Sequence, residues 1–170
     1  MRLTDYLREQ CVSFQTILHA PAFSPAQRAR VLRIDPRHVA QAVLLDGPQG
    51  FFVHVLPANR QTDLAALARV WGGPVRLARK DEAAAVFRDC SWGVVSAFGN
   101  LYGLWTLIDR TIDSDGWLIL EADTSVDSIL MDALEYERLS GAFGVSCVLP
   151  CEGRAGTPTP PNCSDARSDL

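Results

Sequence analysis

The sequence predicts an α+β domain, a mixed β-sheet with helices packed around it. Three observations carry this. Two apolar runs, residues 39–45 and 50–56, are joined by Asp46-Gly47-Pro48-Gln49, whose residues supply the conformations of a tight hairpin turn. Helical segments of unequal length fall among the strand-like runs, so the order is not a regular βαβ series. Nor does any repeat run along the chain, which sets aside solenoids and propellers.

A chain of 170 residues is the size of one domain, and two independent cores would be crowded. Hydrophobic residues make up 48% and charged residues 21%, the balance of a chain that folds alone rather than that of a disordered one. The domain is expected over residues 1–140. From Gly141 the composition shifts, and Gly156-Thr157-Pro158-Thr159-Pro160-Pro161-Asn162 has no periodic apolar face, so residues 141–170 read as a Pro/Gly/Ser-rich tail.

In order, residues 3–11 alternate charged and apolar groups at helical spacing, and residues 13–18 read as a strand leading to His19 and Pro21. Ser24-Pro25 is an N-cap with proline at the first helical position, opening a helix to about Leu32. Arg30, Arg33 and Arg37 would share one face if that helix reached Arg37, a step that Pro36 opposes. After the hairpin, Thr62 or Asp63 caps a helix over 64–70, which Gly72-Gly73-Pro74 ends. Residues 75–77 form a brief strand and 79–87 an alanine-rich helix. Residues 92–95, 104–108 and 117–121 read as strands, and 127–139 as the last helix.

The N-terminal stretch is charged at helical spacing, and no apolar run has the length of a signal peptide or a membrane span, so a cytoplasmic location is expected. Five cysteines, Cys11, Cys90, Cys147, Cys151 and Cys163, are an odd number, and reduced thiols are expected rather than a disulfide framework. The net charge of -4 argues against a general nucleic-acid coat protein but leaves room for a local basic face.

Conventional catalytic sets are missing. His19, His38 and His54 form no metal-binding pattern, and there is no serine elbow, phosphate loop or dinucleotide fingerprint. Cys147, Cys151 and Cys163 offer three thiolates without a second pair at zinc spacing, so neither metal nor cofactor is expected. What remains is Gly93-Val94-Val95-Ser96-Ala97-Phe98-Gly99. Glycines there let the backbone approach a ligand closely, and adjacent peptide N–H groups aimed into a cleft hold a carbonyl or an oxyanion; the other reading is a strand followed by a tight turn.

Several segments in order carry a family likeness. They are Val39-Ala40-Gln41-Ala42-Val43-Leu44-Leu45, Val55-Leu56-Pro57-Ala58-Asn59-Arg60 with Asp63-Leu64, and Val75-Arg76-Leu77-Ala78. Phe87-Arg88-Asp89-Cys90, the 93–99 loop with Tyr102-Gly103, Ile108-Asp109 and Glu121-Ala122-Asp123-Thr124 continue it. Over about residues 10–140 the chain resembles the YbaK/ProX family of aminoacyl-tRNA deacylases, also called the prolyl-tRNA synthetase associated domain. The resemblance implies a mixed, strongly curved sheet surrounded by helices, and a freestanding editing domain acting on the acceptor end of mischarged aminoacyl-tRNA. It also implies chemistry without a side-chain nucleophile: backbone groups of the glycine loop position the ester carbonyl while water or a substrate group attacks.

On that resemblance, Gly99, Phe98 and Ala97 form the carbonyl site, and Gln41, Ser96, His19, Thr124 and Ser125 bind substrate. The chain departs from the family at three of these places. Gln41 stands where most relatives have lysine, so a hydrogen bond replaces a charge. Ser125 stands where a related subgroup often has histidine, and Ser96-Ala97 replaces a pair in which proline is usual. His19 is either a pocket residue or a turn histidine, Phe98 and Tyr102 either pocket walls or core, and Asn59-Arg60 either a tRNA contact or a turn. Two functions stay open: a deacylase weakened at Gln41, or a silent module of the same fold that binds aminoacyl-tRNA, an amino-acid derivative or a protein.

Overall fold

In the computed structural model, which describes residues 2–151, the chain opens with α1 (Leu3–Glu9) and β1 (Phe14–Leu18). α2 (Pro25–Leu32) begins as its sequence dictates. The Ser24 side chain accepts from the Gln27 N–H at 3.1 Å, and Pro25 occupies the first helical position. Arg33 ends this helix with a left-handed φ of +56°, so Arg30, Arg33 and Arg37 do not share one helical face. The hairpin follows as β2 (Ala40–Gly47) and β3 (Gly50–Pro57), then β4 (Arg60–Thr62) and α3 (Leu64–Trp71). Asp63, rather than Thr62, caps α3 by accepting from the Ala66 N–H at 2.9 Å. Gly72, at φ +80°, stops it.

β5 (Arg76–Leu77), α4 (Lys80–Val86), β6 (Trp105–Asp109), β7 (Trp117–Glu121), β8 (Asp127–Asp132), α5 (Ala133–Ser140), β9 (Phe143–Val145) and β10 (Val148–Pro150) complete the order. The strands form three sheets rather than one: β5-β2-β3-β6-β9, β1-β8-β7 and β10-β4. The first is mixed, with β6 parallel to both β3 and β9, and the other two are antiparallel. A parallel bridge from Val39 to Ile119 ties the first sheet to the second. Side chains alternate along β2, so both faces of the first sheet are covered. Ala40 and Leu44 join the main core with Leu7, Val55, Phe98, Ile129 and Tyr136, while Leu45 joins Phe52, Leu67 and Leu107 beneath α3.

Three expectations change. Residues 92–95 are a turn and loop, not a strand: Gly93 takes φ +86°, and the Val94 N–H bonds back to Ser91 O at 3.0 Å. Residues 127–139 are not one helix. The first six form β8, which is paired along both edges by β1 and β7, and Asp132 then caps α5 by accepting from the Glu135 N–H at 3.1 Å. The Asp-x-x-Glu spacing at 132–135 is an N-terminal helix signature, and it marked the true start. Finally, strand pairing runs past residue 140, since β9 extends the first sheet and β10 pairs with β4, so the expected tail boundary lies too early. Residues 152–170, with the prolyl stretch and Cys163, lie outside the described residues. No helix among the described residues is long and apolar enough to cross a membrane.

Candidate functional site

A cleft sits where the edge of β2 lies open. On that outer edge β2 is paired by β5 only at Leu45 and Asp46, and bridged by β7 only just before its start, at Val39. Between those points Ala42, Val43 and Leu44 line a cleft of about 440 Å³. Its far wall is Leu77, Ala78 and Ala83, its roof Gly93, Val94 and Val95, and Glu121 and Ser125 close the end. Phe23 and Trp92 stand at the rim, 79% and 73% exposed. Arg79 and Lys80, at the start of α4, also line the cleft. Arg79 is shared with Asp81 at 3.2 Å and Glu82 at 3.1 Å, whereas Lys80 has no ion pair among the described residues.

Glu121 is the one acidic side chain in the lining, and Nη2 of Arg28 on α2 holds its Oε1. Arg28 is 1% exposed, so a full guanidinium is buried beside the one carboxylate of the cleft. Burial pushes the Glu121 carboxyl above its ordinary value, and the Arg28 charge opposes that rise.

The glycine loop divides in two. Its first half faces the cleft, and no hydrogen bond within the described residues reaches the peptide N–H groups of Gly93, Val95, Ser96 or Ala97. Unpaired backbone donors are rare in a folded interior, and Ser96 and Ala97 are each only 3% exposed. The second half is core. The Phe98 N–H is satisfied by Ser96 Oγ at 3.2 Å, and the Phe98 ring meets Tyr6 and Tyr136 edge to face. Gly99 is packed so closely that a Cβ there would lie 2.6 Å from Thr106 Oγ1.

Of the residues expected to form the site, Ser125 alone lines the cleft. Gln41 is half-buried one position before the lined stretch of β2. His19 is bound through Nδ1 to Ala20 O and through Nε2 to Ser128 Oγ, both at 2.8 Å, the contacts of a turn histidine. The Thr124 hydroxyl donates to Asp127 Oδ1 and so shapes the loop that carries Ser125. Ser96, Ala97, Phe98 and Gly99 lie behind the roof rather than in it. Tyr102 is tied to Asp89 at 2.7 Å and packs on Phe87.

Sequence reasoning missed Arg28, Glu121, Phe23, Trp92 and Lys80. The signal for Glu121 was a lone carboxylate ending the apolar run Leu118-Ile119-Leu120. Burial pushes the Cys90 thiol up to about 11, so it stays protonated at neutral pH and is a poor nucleophile. No cluster of metal-ligating side chains occurs among the described residues.

Residues 19–139 match the family model described as aminoacyl-tRNA editing domain. No curated protein is a significant match to the chain. Among solved structures, the hypothetical protein APE2540 superposes with a TM-score of 0.79 at 15% identity, over 88% of this chain and 100% of that one. A "putative trans-editing enzyme for prolyl tRNA synthetase" gives 0.68 at 18% identity, over 79% and 85%. A "putative signal transduction protein" from Marinobacter aquaeolei VT8 gives 0.62 at 24% identity, over 81% of this chain and 28% of that one. At these identities the likeness is one of fold.

Proposed function

The chain belongs to the family of aminoacyl-tRNA editing domains, and on that premise we propose that it is a trans-acting deacylase of the cytoplasm, hydrolysing the ester of a small mischarged amino acid. The observation that carries this reading is that every residue lining the cleft falls inside the matched segment 19–139. The ester carbonyl sits against the free N–H groups of Gly93 and Val95, with those of Ser96 and Ala97 behind them. This moves the carbonyl site from Ala97, Phe98 and Gly99 to the first half of the same loop.

The reaction needs no side-chain nucleophile. Preorganised N–H donors stabilise the charge that develops on the carbonyl oxygen, and an apolar wall of Ala42, Leu44 and Ala83 holds the ester in place for attack by water. Phe23 and Trp92 at the rim offer faces for the terminal bases of the acceptor end, and Lys80 a charge for its phosphate. The small cleft walls favour small amino-acid side chains.

A panel of tRNAs, each charged with a non-cognate small amino acid and incubated with stoichiometric protein, tests the reading. Release of at least one amino acid faster than the uncatalysed rate is expected. If no ester is cleaved while a lysine-bearing relative works in parallel, the second reading takes over: a silent module that retains the fold and binds aminoacyl-tRNA. Gln41 and Ser125, which differ from the family pattern, favour that second reading.

A further inference from the structure

We propose that the Glu121 carboxylate receives the free α-ammonium of the aminoacyl group, an inference that rests on the deacylase reading of the cleft. An aminoacyl ester carries its ammonium on the carbon next to the ester carbonyl. One cleft is lined both by Gly93 and Val95, whose N–H groups have no hydrogen-bond partner among the described residues, and by a single carboxylate, Glu121.

The geometry of the Arg28–Glu121 pair fits this use. Arg28 takes Oε1, and Oε2 has no hydrogen-bond partner among the described residues. The guanidinium is buried and does not line the cleft, whereas Glu121 does. The positive end of the pair is therefore in the interior and the negative end in the cleft. Arg28 also fixes the Glu121 side chain, which makes the free oxygen a preformed acceptor rather than a mobile one. Burial resists ionisation of Glu121, and a cation seated beside it relieves that resistance.

One consequence is selectivity. An ester whose amine is acylated, as in a peptidyl chain, has no cation to offer and brings added bulk against Glu121. The cleft would then accept aminoacyl esters and refuse peptidyl ones through this single contact.

The test uses the full chain and two probes, 3′-alanylamido-adenosine with its amine free or N-acetylated, whose amide link resists hydrolysis. The free-amine probe is expected to bind about tenfold tighter, the worth of one charge-assisted hydrogen bond. Glu121→Gln should reduce that preference to less than about twofold. Because Glu121→Gln leaves the Arg28 charge buried and unpaired, the double variant Arg28→Met/Glu121→Gln is measured too, and it should show the same levelling. Equal binding of both probes by the natural protein, binding of neither, or a free-amine preference that survives in both variants overturns the inference. Deacylation of the same panel of mischarged tRNAs, followed in parallel, separates the two readings. Preference without turnover sinks the deacylase and leaves Glu121 an ammonium receptor, whereas turnover without preference does the reverse.

Discussion

The Tyr136 hydroxyl donates to the carbonyl oxygen of Ala97 at 2.7 Å, tying α5 to the glycine loop across 39 positions of sequence. Both residues are buried, so this bond sets how the peptide groups of the loop are turned. Tyr136→Phe keeps the ring against Phe98 and leaves the Ala97 carbonyl buried without a partner. A loss of about 1–3 kcal/mol is expected, seen as a lower urea midpoint with an unchanged slope. Deacylation should fall severalfold at temperatures where the variant is still folded, because the loop that carries the Gly93 and Val95 donors loses its anchor. A midpoint equal to that of the natural protein would show that the hydroxyl bond does not hold the loop.

Gly93 and Gly99 should answer differently to the same change. A Cβ at Gly99 meets Thr106 Oγ1 at 2.6 Å and Val53 Cγ2 at 3.1 Å, so Gly99→Ala overpacks the core at a cost of about 1–3 kcal/mol. A Cβ at Gly93 meets nothing within 4 Å, but φ +86° strains any L-residue there. Gly93→Ala is expected to keep most of the thermal stability and lose most of the deacylation rate, as its peptide moves at the cleft roof. Full activity in a folded Gly93→Ala protein would remove the first half of the loop from the carbonyl site.

Gln41→Lys restores the charge that the family pattern places there. Position 41 immediately precedes the lined stretch Ala42–Leu44. Affinity for the acceptor end of tRNA should rise about three- to tenfold at low salt, and the gain should shrink as salt screens the added charge. Binding titrations at two ionic strengths read both effects. A gain that is independent of salt would mean that the lysine does not act through phosphate.

The fold was legible wherever local chemistry decides. Ser24-Pro25, Asp63, Gly72 and the Asp46–Gln49 turn each set a boundary through their own backbone preferences, and the elements beside them lie where these residues predict. Residues 127–132 misled because Ile129, Leu130 and Met131 suit a helix as well as a strand, and only pairing with β1 and β7, remote in sequence, selects the strand. The site was harder for the same reason. The loop could be found from its glycines, but which half opens on solvent depends on how Phe98 and Gly99 pack against Tyr136, Thr106 and Val53. Arg28 is 93 residues from Glu121, and nothing within α2 marks one of its arginines for burial.

His54 makes the acid side of the stability curve a test of the core beneath α3. It is fully buried in β3, with Nδ1 at 3.2 Å from Thr62 Oγ1 and Nε2 without a hydrogen-bond partner among the described residues. Burial pushes its pKa down from 6.5 to about 4, only partly offset by the Asp109 carboxylate. The folded state therefore keeps the ring neutral in a range where the unfolded chain binds a proton. Stability contributed by this residue is full above 6.5, falls as pH falls towards 4, and is flat below it. The slope in that window is at most about 1.4 kcal/mol per pH unit. His54→Gln removes the titration, so its urea midpoint should start lower at pH 7 and decline less steeply down to pH 4. Carboxylates that also titrate near the lower end are common to both proteins, and the difference between the two curves isolates His54. Parallel curves would mean that the ring accepts its proton in the folded state as readily as in the unfolded one.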